Sequence, residues 1–151
     1  MNRHGILASV NLASANPSQQ LNARQQSIHR ILVVEDDPTL AALEVEVLTA
    51  HGYRVVTVHS GELAITTLRH LIPDLVVLDL ELTGNINGWE VFQELRTISN
   101  IPVLITSSSV TAIRPYMLNN GETRCTLDHL PKPYPMQTLL KRVKRMLPMA
   151  S

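Results

Sequence analysis

Cysteine and aromatic residues are scarce in this sequence, and its charges balance. The single cysteine, Cys125, excludes an internal disulfide and favours a reducing compartment such as the cytoplasm. Aromatic residues make up 3% of the chain and the formal net charge is zero, so the sequence offers neither a base-stacking surface nor a basic field. We therefore expect no direct binding to nucleic acid or to a membrane. No apolar run approaches the roughly 20 residues that a membrane-spanning helix needs.

The sequence does contain enough apolar residues for one folded domain. Hydrophobic residues make up 44% of the 151 residues, which suits a domain with a core together with a tail. Residues 1–28 are rich in Asn, Gln, Ser and Ala and contain no acidic residue, so we predict a mostly disordered N-terminal tail. We assign residues 29–148 to the folded domain and residues 149–151 to the C-terminal end.

From residue 30 onward, short apolar runs alternate with amphipathic segments. The apolar runs predict strands at 30–35, 54–58, 75–79, 102–106 and 124–130. Each strand is followed by a predicted helix, the first beginning at Pro38 and the last at Pro135. This alternation favours an α/β fold with a flavodoxin-like, doubly wound, five-stranded parallel sheet and five helices. The strand order 2-1-3-4-5 places the first and third strands side by side.

Two of the predicted helices carry more specific expectations. In the first helix, Leu40, Leu43 and Val47 are predicted to form the apolar face. The fourth helix, within residues 110–120, contains Pro115. A proline inside a helix removes a hydrogen bond and clashes with the preceding turn, so we predict that this helix is short, kinked or late to begin.

Acidic residues follow the first and third predicted strands. Glu35 and Asp36 come after Ile-Leu-Val-Val, and Asp79 comes after Leu-Val-Val-Leu. Asp79 alone would equally suit a solvated turn, but neighbouring parallel strands should bring all three carboxylates to one edge. Like charges about 4 Å apart repel by roughly 4 kcal/mol at an effective dielectric of about 20, so the cluster predicts a bound cation. Oxygen ligands favour a hard cation, with Mg²⁺ as the first choice.

Four motifs occur in order, each at the end of a predicted strand. They are Val-Val-Glu-Asp-Asp-Pro at 33–38, Asp-Leu-Val-Val-Leu-Asp at 74–79, Ile-Pro-Val-Leu-Ile-Thr-Ser at 101–107 and Leu-Pro-Lys-Pro-Tyr at 130–134. Each motif is weakly specific, whereas all four in this order are strongly specific. Together they resemble the receiver domain of two-component response regulators, and the resemblance covers residues 30–147.

The resemblance implies a phosphoacceptor and a Mg²⁺ site. Asp79 matches the phosphoacceptor of the family. Asp36 matches the carboxylate that binds Mg²⁺ directly, and Glu35 matches the one that binds it through water. Glu81 matches the position whose backbone carbonyl binds the metal.

The resemblance also implies groups that bind the phosphoryl group. Ser107 matches the family's phosphoryl-binding hydroxyl, and Thr106 is the alternative if the register differs by one residue. Lys132 matches the lysine that pairs with the phosphate. A solvated surface lysine is the simpler alternative for Lys132, but the flanking prolines favour a rigid turn. The family resemblance further predicts a cis Lys132–Pro133 peptide bond.

This sequence departs from the family pattern around the site. The loop after Asp79 lacks the usual proline and is one residue longer before Gly88. Where the family has a switching Tyr or Phe, this chain has His129, which would equally suit a plain surface position. The basic residues of the last helix are predicted to be a solvated face that complements the helix dipole, with a partner-binding patch as the alternative; they are Lys141, Arg142, Lys144 and Arg145.

The leading functional prediction is a stand-alone phosphorelay receiver, which is a signalling domain and not an enzyme. It would take a phosphoryl group from a histidine kinase or a phosphotransfer protein, with Mg²⁺, and signal to a downstream protein by altered binding. The alternative is an interaction module that works without phosphorylation. A third hypothesis is a haloacid dehalogenase-type phosphatase, because Asp79 to Thr83 resembles part of that motif. The third-strand position and the Glu at 81 disfavour it.

A hypothesis for the switch follows from the same departures. We predict that phosphorylated Asp79 draws in the Ser107 hydroxyl through a charge-assisted hydrogen bond. Because an imidazole can be charged, burying His129 is disfavoured as the pH falls. The signal is therefore predicted to depend on the segment 108–120, which Pro115 weakens as a helix.

Overall fold

Five strands form one parallel sheet in a computed structural model that describes residues 28–109, 116 and 120–148. The strands are β1 (Arg30–Val34), β2 (Arg54–Val58), β3 (Leu75–Asp79), β4 (Val103–Ser107) and β5 (Leu127–Pro131). The helices within the described residues are α1 (Pro38–Ala50), α2 (Gly61–His70), α3 (Gly88–Ile98) and α4 (Met136–Met146). The sheet order β2-β1-β3-β4-β5 confirms the predicted doubly wound α/β fold.

The sheet is buried between two layers of helices. Alternate residues of a strand point to opposite faces, so Leu32 and Val34 pack with residues of α2 and α3, including Phe92. Ile31 and Val33 pack on the other face with residues of α1 and α4. Because both faces are covered, the central strands are continuous apolar runs, which is the pattern expected of a parallel sheet.

Side-chain caps fix where three of the helices begin. The Asp37 side chain accepts hydrogen bonds from the first turn of α1, and Ser60 accepts one from Leu63 of α2. Asn87 and Glu90 form a reciprocal capping box at the start of α3. Each cap satisfies backbone N–H groups that have no partner within the helix. The predicted start of α1 at Pro38 is confirmed.

Two features of the helices and strands differ from the predictions. β5 begins at Leu127 and not near residue 124, because residues 123–126 form a turn in which Thr126 N and Leu127 N both donate to the Thr123 carbonyl. The buried face of α1 is Ala41, Glu44 and Leu48, so the predicted face of Leu40, Leu43 and Val47 is wrong by one position.

Some predictions fall on residues that lie outside the described part of the chain. They concern the N-terminal tail up to residue 27, most of the fourth predicted helix with Pro115, and the C-terminal residues 149–151. Among the described residues, no helix has both the length and the apolar character that crossing a membrane requires.

Candidate functional site

The strand register brings the predicted site residues to one edge of the sheet. Val34 of β1 lies beside Leu78 of β3, and Asp79 lies beside Thr106 of β4. Ser107 in turn lies beside Pro131 of β5. The polar residues at or just after these positions therefore lie close together, at the carboxyl edge of the sheet, where open α/β sheets bind ligands.

Three carboxylates lie together at this edge. Glu35, Asp36 and Asp79 each offer an oxygen atom, and these atoms lie within 4.8 Å of one another. Glu35 and Asp79 are buried, each with 1% of its surface exposed, while Asp36 is half-buried. The adjacency that the strand order predicted is present.

The Lys132 ammonium group reaches this cluster from the loop after β5. Its Nζ atom lies 2.9 Å from Glu35 Oε1 and 3.1 Å from Asp79 Oδ2. Burial opposes the charged form, but the bond to Glu35 and the charge of Asp79 raise the Lys132 pKa above its ordinary value. The Lys132 backbone N–H donates to the Ser107 carbonyl, which ties the loop to β4. Lys132 is therefore part of the site and not a solvated surface lysine.

Glu35 and Asp36 are adjacent in sequence but differ in protonation behaviour. Burial raises the pKa of Glu35 to about 7, although hydrogen bonds from Lys132 and from Asp37 N oppose the shift. At Asp36, burial also favours the neutral form, but the backbone and hydroxyl of Thr83 both donate to Oδ2 and hold its pKa below the usual value. Asp36 is thus an anion at neutral pH, and a nearby cation would favour ionised Glu35.

The loop after β3 is held tightly against Asp79. The Glu81 backbone N–H donates to Asp79 Oδ1 at 2.8 Å. A Cβ atom on Gly88 would stand 2.0 Å from the Asp79 carbonyl oxygen, so only glycine fits at that position. The Glu81 carboxylate accepts a hydrogen bond from Ser108 N. The predicted metal ligand at Glu81 is its backbone carbonyl, and that role stays a prediction.

Ser107 ends β4, next to the acidic cluster in the sheet order. Its Oγ atom donates to the Ser109 carbonyl at 2.6 Å and accepts from Ser109 N at 2.9 Å. The hydroxyl therefore bonds to its own loop. Thr106, the alternative, is fully buried and its hydroxyl has no hydrogen-bond partner among the described residues. Its backbone carbonyl accepts from Leu80 N, which ties the loop after Asp79 to β4.

A buried pair next to the site was not predicted from the sequence. Tyr134 Oη donates a hydrogen bond to Glu44 Oε1 on α1. Glu44 is 1% exposed, and burial raises its pKa to about 7. Two features of the sequence could have drawn attention to this pair. Glu44 lies among the apolar residues of α1, and Tyr134 lies two residues after Lys132. Neither residue predicts the other, because they are 90 positions apart.

The basic residues of α4 agree with the predicted solvated face in part. Arg142 and Arg145 bond to the carboxylate of Asp128, a buried residue of β5. The predicted solvated face is present at Arg145 and at the two lysines, which are exposed, whereas Arg142 is half-buried. His129 is half-buried, and burial lowers its pKa. Its Nε2 atom is buried with no hydrogen-bond partner within the described ranges, so it is not a plain surface histidine.

The donor set at this edge suits a hard divalent cation. Three carboxylates and one ammonium group leave an excess of negative charge, and oxygen ligands of this kind favour Mg²⁺ over soft metals. The Lys132 ammonium group and such a cation would together reduce the repulsion that an anionic phosphate meets on approaching a carboxylate. The predicted Lys132–Pro133 cis peptide bond is present.

Comparison with known proteins gives one family. A family model for the response regulator receiver domain matches residues 31–144. The DNA-binding response regulator MtrA of Mycolicibacterium smegmatis is 36% identical over 119 residues, which are 78% of this chain and 50% of MtrA. The transcriptional regulatory protein BaeR of Escherichia coli is 34% identical over 119 residues, which are 78% of this chain and 48% of BaeR.

Solved structures give the same fold. A response regulator receiver protein of Sinorhizobium medicae has a TM-score of 0.67 at 28% identity, covering 80% of this chain and 94% of that one. The chemotaxis protein CheY4 of Vibrio cholerae has a TM-score of 0.68 at 23% identity, covering 80% of this chain and 99% of that one. The second likeness shows the fold alone.

One predicted absence is corrected by these relatives. The chain spans about half the length of the curated relatives it matches. Those relatives are named as DNA-binding and transcriptional regulators. The prediction of no direct nucleic-acid binding, which rested on composition, is therefore wrong. The zero net charge is that of the given 151 residues, and it says nothing of the other half of such relatives.

Proposed function

This chain belongs to the response regulator receiver domain family, and from that membership we propose that it accepts a phosphoryl group on Asp79. The donor would be a histidine kinase or a phosphotransfer protein of a two-component system. The observation that carries the proposal is the position of the Asp79 carboxylate. It is buried at a strand end, 3.1 Å from the Lys132 ammonium group and beside two further carboxylates.

Each side chain has a defined task in this proposal. Asp79 is the nucleophile, and one oxygen, Oδ1, is oriented by the Glu81 backbone N–H. Lys132 neutralises charge on the incoming phosphoryl group, since its ammonium already bonds to Asp79. No general base is needed, because the reacting carboxylate is used in its ionised form.

We propose that Asp36, Asp79 and the Glu81 carbonyl hold Mg²⁺, with Glu35 acting through water. When bound, Mg²⁺ would supply positive charge to the phosphoryl oxygens. Two features of the chain support this assignment. Asp36 stays anionic because Thr83 donates twice to it, and the negative charge that Lys132 leaves uncompensated in the cluster favours a bound cation.

The Ser107 hydroxyl is proposed to bind the phosphoryl group after transfer. To do so it must exchange its bonds to the Ser109 backbone for a charge-assisted bond to a phosphoryl oxygen. That exchange would alter the loop that begins at Ser108. Altered binding of a downstream protein is the proposed output.

The test is phosphorylation by a small acyl phosphate, followed by intact-mass measurement. With Mg²⁺ present, the chain should gain the mass of one phosphoryl group, and with a chelator the gain should be much slower. In the Asp36→Asn variant, Mg²⁺ should increase the rate of phosphorylation only weakly. A chain that gains no phosphoryl group under either condition would contradict the proposal. It would favour the alternative, a module that binds its partner without phosphorylation, for which partner affinity would be independent of acyl phosphate.

A further inference from the structure

Glu44 is a buried acidic residue to which the proposed function gives no task. It lies on the inner face of α1, and its Oε1 atom accepts a hydrogen bond from the Tyr134 hydroxyl. Its Oε2 atom is buried with no hydrogen-bond partner within the described residues. A core position usually holds an apolar side chain, and a buried carboxyl group is costly unless it is hydrogen-bonded or neutral. An acidic residue here therefore calls for an explanation beyond packing.

Tyr134 connects this carboxyl group to the proposed phosphoacceptor site. It lies two residues after Lys132 in the sequence, and its ring packs against the core formed by α1, α4 and the sheet. The segment 132–134 is thus attached at both ends. The Lys132 ammonium group bonds to Glu35 and Asp79, and the Tyr134 hydroxyl bonds to α1 through Glu44.

We propose that the Tyr134–Glu44 hydrogen bond is a positioning device that holds the Lys132 ammonium group over Asp79. The proposal rests on the proposed function of Asp79 as the phosphoacceptor. A lysine side chain has many rotamers, so its precision depends on the backbone from which it extends. Tying the phenol to a rigid helix restricts that backbone. Catalytic groups need such support, because a displacement of about 1 Å can cost up to about a hundredfold in rate.

The charges around Glu44 support this assignment. Lys132 and Asp79 act on Glu44 through space, and Glu35 acts on Tyr134. Burial favours the protonated form of Glu44, and a neutral carboxyl group does not compete with Asp79 and Glu35 for the lysine. Below a pH of about 7, the pair therefore combines a fixed hydrogen bond with little added charge near Asp79.

The first test removes the hydroxyl group alone. Tyr134→Phe should slow phosphorylation by a small acyl phosphate with Mg²⁺ by about tenfold. The Lys132 pKa, measured by NMR on a side-chain-labelled lysine, should move toward its ordinary value of 10.5. The matched control is Tyr53→Phe, because the Tyr53 hydroxyl is buried on the same face and has no hydrogen-bond partner in the described chain. The control should leave the rate and the Lys132 pKa unchanged.

A second set of variants separates positioning from stability. Glu44→Gln keeps an acceptor oxygen for Tyr134 and should keep a nearly wild-type rate. Glu44→Leu with Tyr134→Phe removes both polar partners, which can restore stability to an apolar core. This double variant should unfold at a temperature near that of the wild type and still phosphorylate slowly.

Two results would overturn the positioning role. One is a Tyr134→Phe variant with an unchanged phosphorylation rate and an unchanged Lys132 pKa. The other is a Glu44→Leu, Tyr134→Phe double variant whose phosphorylation rate and Lys132 pKa equal those of the wild type. The Lys132 pKa does not depend on phosphorylation. If the wild type gains no phosphoryl group, the proposed function fails, whereas the pKa comparison still decides whether the Tyr134–Glu44 bond positions Lys132.

Discussion

At the scale of single residues, the edge of the sheet that carries Glu35 and Asp79 depends on a balance between burial and charge. Glu35 and Asp79 are buried carboxylates, and the Lys132 ammonium group is the group that bonds to both. Removing one partner of such a cluster leaves the other charges uncompensated, which costs more than the net contribution of the pair. Glu44 differs from these two carboxylates in having no ammonium partner among the described residues, and its burial favours the protonated, uncharged form.

The protonation of Glu44 predicts a pH-dependent stability. Its pKa rises from 4.5 to about 7 on folding because the group is buried. The folded chain therefore keeps a proton that the unfolded chain releases between these values. The resulting stability is fully present below pH 4.5 and is lost as the pH rises through about 7. Glu44→Gln cannot lose this contribution, so its free energy of unfolding relative to wild type should rise on the order of 3 kcal/mol from pH 4.5 to pH 8.

Denaturant unfolding across this pH range checks the prediction. Glu35 is expected to titrate in the same window in both proteins, so its contribution cancels in the comparison. Glu46→Gln, at an exposed position of the same helix, is the matched control and should show little change. A stability difference between Glu44→Gln and wild type that stays constant with pH would refute the assignment.

The sequence predicts single residues well where one strand end determines their place. Asp36 and Asp79 lie at or just after the ends of recognisable strands, so the topology brings them together. The place of Lys132 was predicted from the family resemblance. Tyr134 and Glu44 could not be paired in this way, because their contact depends on how α1 packs against the loop after β5. The direction in which a side chain points could not be predicted from the sequence either. The Ser107 hydroxyl, for example, bonds to the Ser109 backbone.

At the scale of elements, the loop between β3 and α3 joins the site to its surroundings. Thr83 bonds to Asp36 at the acidic cluster, and Ile86 N bonds to Glu62 at the start of α2. Gly88 then places the first turn of α3 directly against the backbone of Asp79. The longer, glycine-containing loop of this chain is thus fixed at three points, and it positions the residues that follow Asp79.

The close approach at Gly88 predicts the effect of adding one methyl group. A Cβ atom there would stand 2.0 Å from the Asp79 carbonyl oxygen and 2.6 Å from Leu80 Cα, both backbone atoms. Gly88→Ala should lower the free energy of unfolding by about 1–3 kcal/mol or more, and it should slow the proposed phosphorylation because the loop after Asp79 moves.

Thermal unfolding and acyl phosphate kinetics check this together. Gly52→Ala is the control, since Gly52 has no atom within 4 Å of its added Cβ but has a φ of +92°. Its expected cost is about 1 kcal/mol from the backbone alone, with no change in phosphorylation. Equal effects of both substitutions on phosphorylation would mean that the approach of α3 to Asp79 does not matter for the site.

Helix α1 shows why the faces of elements were harder to predict than their order. Its sequence is apolar on most sides, so hydrophobic spacing gives no single face, and the buried residues are Ala41, Glu44 and Leu48. Leu43 remains 46% exposed. The start of β5 was missed for another reason. Residues 123–126 form hydrogen bonds within a turn, and such local bonds compete with strand formation.

At the scale of the whole molecule, the clustered carboxylates repel one another, and a bound cation would reduce that repulsion. The proposed Mg²⁺ site would bind the folded chain and not the unfolded one, so the ion should stabilise the fold by mass action. At a concentration about 100 times the dissociation constant, the gain should be about 2.7 kcal/mol. Asp36→Asn should reduce this gain by weakening binding.

The melting temperature with increasing Mg²⁺ measures this effect. Sodium chloride at matched ionic strength controls for screening of surface charges. Asp74→Asn, at the opposite end of β3 from Asp79, controls for the loss of a carboxylate as such and should keep the full response. Equal stabilisation of Asp36→Asn and wild type would remove Asp36 from the proposed site.

The central claim is that Asp79 is the phosphoacceptor of this receiver. The most direct test is intact-mass measurement after incubation with a small acyl phosphate and Mg²⁺, on wild type, Asp79→Asn and the Asp74→Asn control. Wild type and Asp74→Asn should each gain one phosphoryl group that hydroxylamine removes, as expected of an acyl phosphate, and Asp79→Asn should gain none. An undiminished gain in Asp79→Asn would contradict the account.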